Sequence, residues 1–132
     1  MATRSLTVFE GADGKEIAVL YRHHDGYPDG HGRELAGFLS DGIMVNGIRD
    51  RNVKQFNGMG CLAAQVIAHF KKEVGAFYLY AAGTRNVRED YVYIVRGQEG
   101  LEPTIEVVGE GFNGPASTYK KWIDTPTEQS LD

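Results

Sequence analysis

A single cysteine, Cys61, stands among the 132 residues, so no disulfide can form within the chain. A lone thiol beside a helical pattern reads as a small buried hydrophobe rather than a nucleophile. Long apolar runs are missing too: nothing approaches the roughly 18 residues that a membrane span requires. Met1-Ala2-Thr3-Arg4 enters strand-like sequence without the apolar core of a signal peptide. These absences set the expectation of a cytoplasmic protein with no membrane association. Positive charge is not in excess either. The net charge is −4, with acids and bases interspersed, which excludes the basic stripe that non-specific nucleic-acid binding needs. A small phosphorylated ligand stays open, because a few well-placed arginines suffice to grip one. No nucleophile elbow surrounds Ser40, Ser117 or Cys61, so no enzyme emerges from motifs and no cofactor is expected.

What is present is the material of one globular core: 42% of residues are hydrophobic, in a chain of ordinary single-domain length. Residues Ser5 to Phe9 and Glu16 to His23 flank Gly11–Lys15, where Asp13-Gly14 predicts a type I′ turn with both central positions at positive φ. The Gly- and Pro-rich stretch from His23 to Gly32 ends the second strand. Leu35, Phe38 and Leu39 then keep helical spacing, with Asp29 placed to cap the helix and Gly42 to end it. Glycines break up the region from Ile43 to Gly60, and only a helical turn near 50–55 is expected there.

From Cys61 to Val74 the pattern is firm. Leu62, Val66, Phe70 and Val74 form one stripe, with Gly75 as the C-cap. Strands are predicted at Phe77–Ala81, Tyr91–Arg96 and Thr104–Val108. The fold class is therefore α+β, in the order β-β-α-α-β-β-β, with a mainly antiparallel sheet and helices on one face. Residues 1–112 read as the single domain and 113–132 as a polar C-terminal tail. In that tail Tyr119, Trp122 and Ile123 can form one side of a short helix that docks on the domain or on a partner.

Three constellations could carry chemistry. His23, His24 and His31 lie within nine residues of each other, with Asp25 and Asp29 between them. Imidazole and carboxylate suit zinc or manganese, so His23, His24, Asp25 and His31 form a candidate metal set. The competing reading is a tight turn, and the spacing matches no established zinc pattern. Second, Gly58 and Gly60 precede a helix whose free amides favour an anion. Third, Arg85 and Arg88 could hold a phosphate or carboxylate, although Glu89 and Asp90 beside them offer plain neutralisation. With His24, Asp25 and Tyr27, these four positions make up the candidate ligand-binding set.

The run Tyr21-Arg-His-His-Asp-Gly-Tyr-Pro-Asp-Gly-His-Gly-Arg-Glu-Leu35 resembles a signature of small phage and prophage proteins, Tyr-x-His-x-Asp-Gly-Tyr-Pro. Leu62-Ala-Ala-Gln65 and Glu89-Asp90-Tyr91-Val-Tyr93 extend the likeness, which covers about Thr3 to Val108. The resemblance implies a phage-type protein acting in the host bacterial cytoplasm. It carries context and no activity. The expected function is a binding protein, a host-defence antagonist that binds a host protein or sequesters a small anionic, nucleotide-like ligand. The alternative is a small metal-dependent hydrolase built on residues 23–31. Unpaired strand edges add the expectation of a homodimer.

Overall fold

A computed structural model describes residues 2–48 and 52–126 of the chain. Strand β1 (Ser5–Glu10) pairs antiparallel with β2 (Glu16–Arg22), as the alternation of the two segments predicts. The turn between them differs from expectation. Of the Asp13-Gly14 pair only Gly14 has positive φ (81°), and the amides of Gly14 and Gly11 bond Gly11 O and Lys15 O. The loop proper is the three residues Ala12, Asp13 and Gly14 inside the Gly11–Lys15 bond, with a left-handed glycine, and the pairing shifts register at Phe9/Glu10.

A single π turn at Pro28–Gly32 leads into helix α1 (Arg33–Leu39). Asp29 does not cap it: no side chain does, and the Asp29 carboxylate instead accepts a bond from Arg33 Nε at 2.7 Å. The helix stops at Leu39, before Gly42, because Ser40 turns extended and its hydroxyl takes the Ala36 carbonyl. Strands β3 (Ile43–Val45) and β4 (Gln55–Asn57) form a small parallel pair of their own. The helical turn expected near 50–55 lies partly outside the described residues, and its last residue, Gln55, belongs to β4.

Helix α2 spans Gly58–Phe70. The predicted stripe holds for Leu62, Val66 and Phe70 but fails at Val74, which is 96% exposed. Lys71 leaves the helix in an extended conformation, and its ammonium captures the carbonyls of Gly75 and Phe77. The helix therefore ends four residues before the stripe would, and the chain turns into β5 (Phe77–Tyr80). Gly75, at φ 83°, serves that turn rather than a helix cap.

Strands β6 (Tyr91–Arg96) and β7 (Thr104–Val107) stand where predicted. An unpredicted strand, β8 (Phe112–Pro115), joins β7 and is followed by a 3-10 turn and helix α3 (Tyr119–Asp124). Residues 113–124, expected as a tail, thus supply most of an edge strand and a helix whose Tyr119 is fully buried.

The main sheet has the order β5-β2-β1-β6-β7-β8, antiparallel throughout except for the central β1–β6 pair. Helices α1, α2 and α3 all contribute to one core on one face: Leu35, Leu39, Leu62, Val66 and Tyr119 pack there with Phe9, Leu20, Tyr93 and Ile105 of the sheet. The other face carries Leu6, Val8, Val19 and Tyr21. Among the described residues it is crossed by a loop alone, the 81–90 connection from β5 to β6, whose Val87 packs on that cluster.

Candidate functional site

The signature segment after β2 is a clasp. Asp25 takes a left-handed φ of 60°, which lets its carbonyl accept the His31 amide at 2.9 Å. Gly26 donates to Thr3 O, and a Cβ there would come within 2.8 Å of the Arg4 and Ser5 backbone. A Cβ at Gly32 would run into the Tyr119 hydroxyl. Two phenols hold the segment's carbonyls: Tyr93 donates to Gly26 O and Tyr119 to Pro28 O, each at 2.7 Å. Burial pushes both phenols' pKa values up, so they remain donors. The glycines therefore mark close backbone approach rather than room for a ligand.

His31 is the core of this clasp. It is fully buried, between the rings of Phe70 and Tyr93 at 5.0 and 5.1 Å. Arg22 Nη1 lies 3.3 Å from Nδ1, and Thr7 Oγ1 lies 2.6 Å from Nε2. A guanidinium can only donate, so Nδ1 accepts and Nε2 carries the proton toward Thr7. Burial, and then the Arg22 charge, hold its pKa down at about 3. A neutral imidazole with both nitrogens engaged has no lone pair left for a cation.

Of the other members of the expected metal set, Asp25 meets His31 only through its backbone carbonyl. His23 and His24 face each other at 4.4 Å between ring centroids, and His23 Nδ1 is 2.8 Å from the Tyr21 hydroxyl. Burial and the neighbouring His24 and Arg4 lower the His23 pKa. Among the described residues, no group of three or more His, Cys, Asp or Glu is placed to hold a metal ion.

Nor do the expected ligand-binding residues converge. His24, Asp25 and Tyr27 lie beyond the Arg22 end of β2, which is level with Ser5. Gly58 and Gly60 lie in the first turn of α2, and Gly58 lines a cavity of about 220 Å³ with Asn46, Gly97 and Glu99, at the end of β6. The two groups are separated by the length of β1, about 17–20 Å at the rise of a strand. A carboxylate in that cavity opposes an anion. Arg85 is held by Glu16 through two contacts, at 3.1 and 3.3 Å. Glu89 folds back on the amides of Asn86 and Val87, which lowers its pKa against the effect of burial. Arg88 is exposed, at a left-handed φ of 68°.

What the fold gathers instead is aromatic. Tyr21 stacks on Tyr80 at 5.4 Å and meets Tyr78 and His23 at 6.0 Å, all on the face away from the helices. Tyr78 is 48% and Ile17 42% exposed. Loop 81–90 shelters the middle of this face and leaves the β2–β5 side open. Farther across, the same face turns ionic, with Arg96 bridging Glu10 and Glu106. The sequence carried the signal in its alternation: Ile17, Val19 and Tyr21 share one parity, and the β2–β5 register adds Tyr78 and Tyr80 to it. Read as sheet packing alone, the tyrosines give no sign that β5 lies at the edge of the sheet. No family model, no curated protein and no solved structure matches the chain.

Proposed function

We propose that this chain is a non-catalytic binding protein that engages another protein through the open aromatic side of its sheet, the face of Ile17, Tyr78 and Tyr80. One observation carries the reading: His31 and Arg85 are engaged internally, while Ile17 and Tyr78 are left in solvent here. His31 serves Thr7 and Arg22, and Arg85 serves Glu16. Tyrosine supplies contact area at low entropic cost, which is why it anchors protein interfaces. A small anionic ligand fits less well, since the arginine and the helix-start amides expected to hold it lie apart and face carboxylates.

The resemblance to phage and prophage proteins directs the search to bacterial host proteins and supports a role as an antagonist. The test is retention of bacterial proteins on the immobilised chain, identified by mass spectrometry. A defined protein held by the wild type and by Arg88→Ala, and lost with Tyr78→Ser/Tyr80→Ser, is the expected result. The same proteins retained by all three would end this reading.

A further inference from the structure

Among the described residues, the free edge of β5 has one position at which both backbone groups are open. Its register against β2 pairs Tyr78 with Tyr21 and Tyr80 with Val19, and His23 N donates to Ala76 O. Hydrogen bonds alternate along an antiparallel pair, so the amides and carbonyls of Tyr78 and Tyr80 point to β2. Those of Phe77, Leu79 and Ala81 point outward. Phe77 is closed on both counts: its amide donates to Gly75 O at 2.7 Å and its carbonyl accepts Lys71 Nζ at 2.9 Å. The Ala81 carbonyl takes the Thr84 amide and hydroxyl. Leu79 remains, with both backbone groups outward and its side chain 63% exposed.

From this we infer that the chain forms a two-fold dimer in which β5 pairs antiparallel with β5 of a second copy, Leu79 opposite Leu79. Hydrogen-bond arithmetic selects the partner. A parallel strand would bond the amide and the carbonyl of Leu79 to two different residues, and a longer added strand would need the closed positions as well. An antiparallel hydrogen-bonded pair exchanges both bonds between a single residue on each side. One open residue per chain is what a second copy offers.

The side chains agree. In that register Tyr78 meets Tyr80 of the other copy across the axis, and such aromatic cross-strand pairs are favourable. Phe77-Tyr78-Leu79-Tyr80 carries no charge, so self-pairing brings no like charges together within the strand, despite a net charge of −4 per chain. The dimer would run the sheet through both copies and join their aromatic faces into one. It does not rest on the partner reading above: a dimer that binds no bacterial protein retires that reading and leaves this one.

The experiment is sedimentation velocity over a concentration series, with circular dichroism to report the fold. Expected are a wild-type dimer and, for Leu79→Lys, self-association weakened by about tenfold or more, as two ammonium groups meet on the axis. A wild type that stays monomeric throughout, or a dimer that survives Leu79→Lys, overturns the inference. A second variant reads the register directly. Residues in a hydrogen-bonded pair have Cα atoms about 5.5 Å apart, within disulfide range. In a Cys61→Ser background, Leu79→Cys should oxidise to a symmetric disulfide dimer while Ile17→Cys does not. Equal cross-linking of the two overturns the register.

Discussion

The two edges of the sheet are protected in different ways. Strand β8 ends in Asn-Gly-Pro, so its own sequence removes a donor at Pro115. Helix α3 then folds over it: Tyr119 and Trp122 pack on Phe112 at 5.1 and 5.2 Å, and the Tyr119 hydroxyl reaches across to the clasp. Arg33 ties the same corner by bonding both Asp29 and Asp124, which lowers the Asp124 pKa to about 2. Strand β5 has no such cover. Its flanks are closed by neighbours, Lys71 on one side and Thr84 on the other, and its middle is left alone. The β8 edge is thus blocked at Pro115 by its own sequence, whereas the β5 edge is blocked on either side of Leu79 by groups from neighbouring segments.

The contrast can be broken most forcefully at β8. Tyr119→Ala empties a fully buried site and removes the phenol that donates to Pro28 O. A loss of about 3–5 kcal/mol is expected, read as a lower urea midpoint. A cost below about 1 kcal/mol would mean that α3 is not part of the fold's closure.

The clasp should impose a pH dependence with a definite sign. Folded His31 has its pKa lowered to about 3 from the ordinary imidazole value of 6.5, so the unfolded chain binds the proton first. Its contribution is fully present above about pH 6.5 and drains as pH falls toward 3, at up to about 1.4 kcal/mol per pH unit. His31→Gln should flatten that part of the stability–pH curve. An unchanged slope in the variant would show that the imidazole is not the group responsible.

The smallest effect is expected at the exposed edge. Leu79→Lys should change monomer stability by no more than about 0.5 kcal/mol, as should Asn113→Lys on β8, yet only the first should alter self-association. Equal behaviour of the two variants in sedimentation would erase the distinction between the edges.

Most of the sheet was legible because apolar and β-branched alternation marks its strands: β1, β2, β6 and β7 lie within a residue or so of their predicted ends. The three-residue strands β3 and β4 are too short to show a period, and β8 is built of Phe-Asn-Gly-Pro, a composition that reads as a turn. The end of α2 was misjudged because Val74 keeps the helical spacing, while the cause of the break, the Lys71 ammonium on two carbonyls, is tertiary. The signature at residues 23–32 was visible but ambiguous. Glycine serves a ligand and a tightly packed backbone equally well, and only the positions of Tyr93 and Tyr119, distant in sequence, decide for the backbone.

The parallel pairing of β1 with β6 brings Ser5 beside Tyr91 and Phe9 beside Val95, a closure that only the last third of the chain can complete. During synthesis the N-terminal hairpin emerges early and must wait, with Leu6 and Val8 unsheltered, until β6 arrives. Non-local pairings of this kind slow folding toward the millisecond-to-second range. The central strand of the finished sheet is thus the one longest exposed to aggregation and to chaperones on the way there.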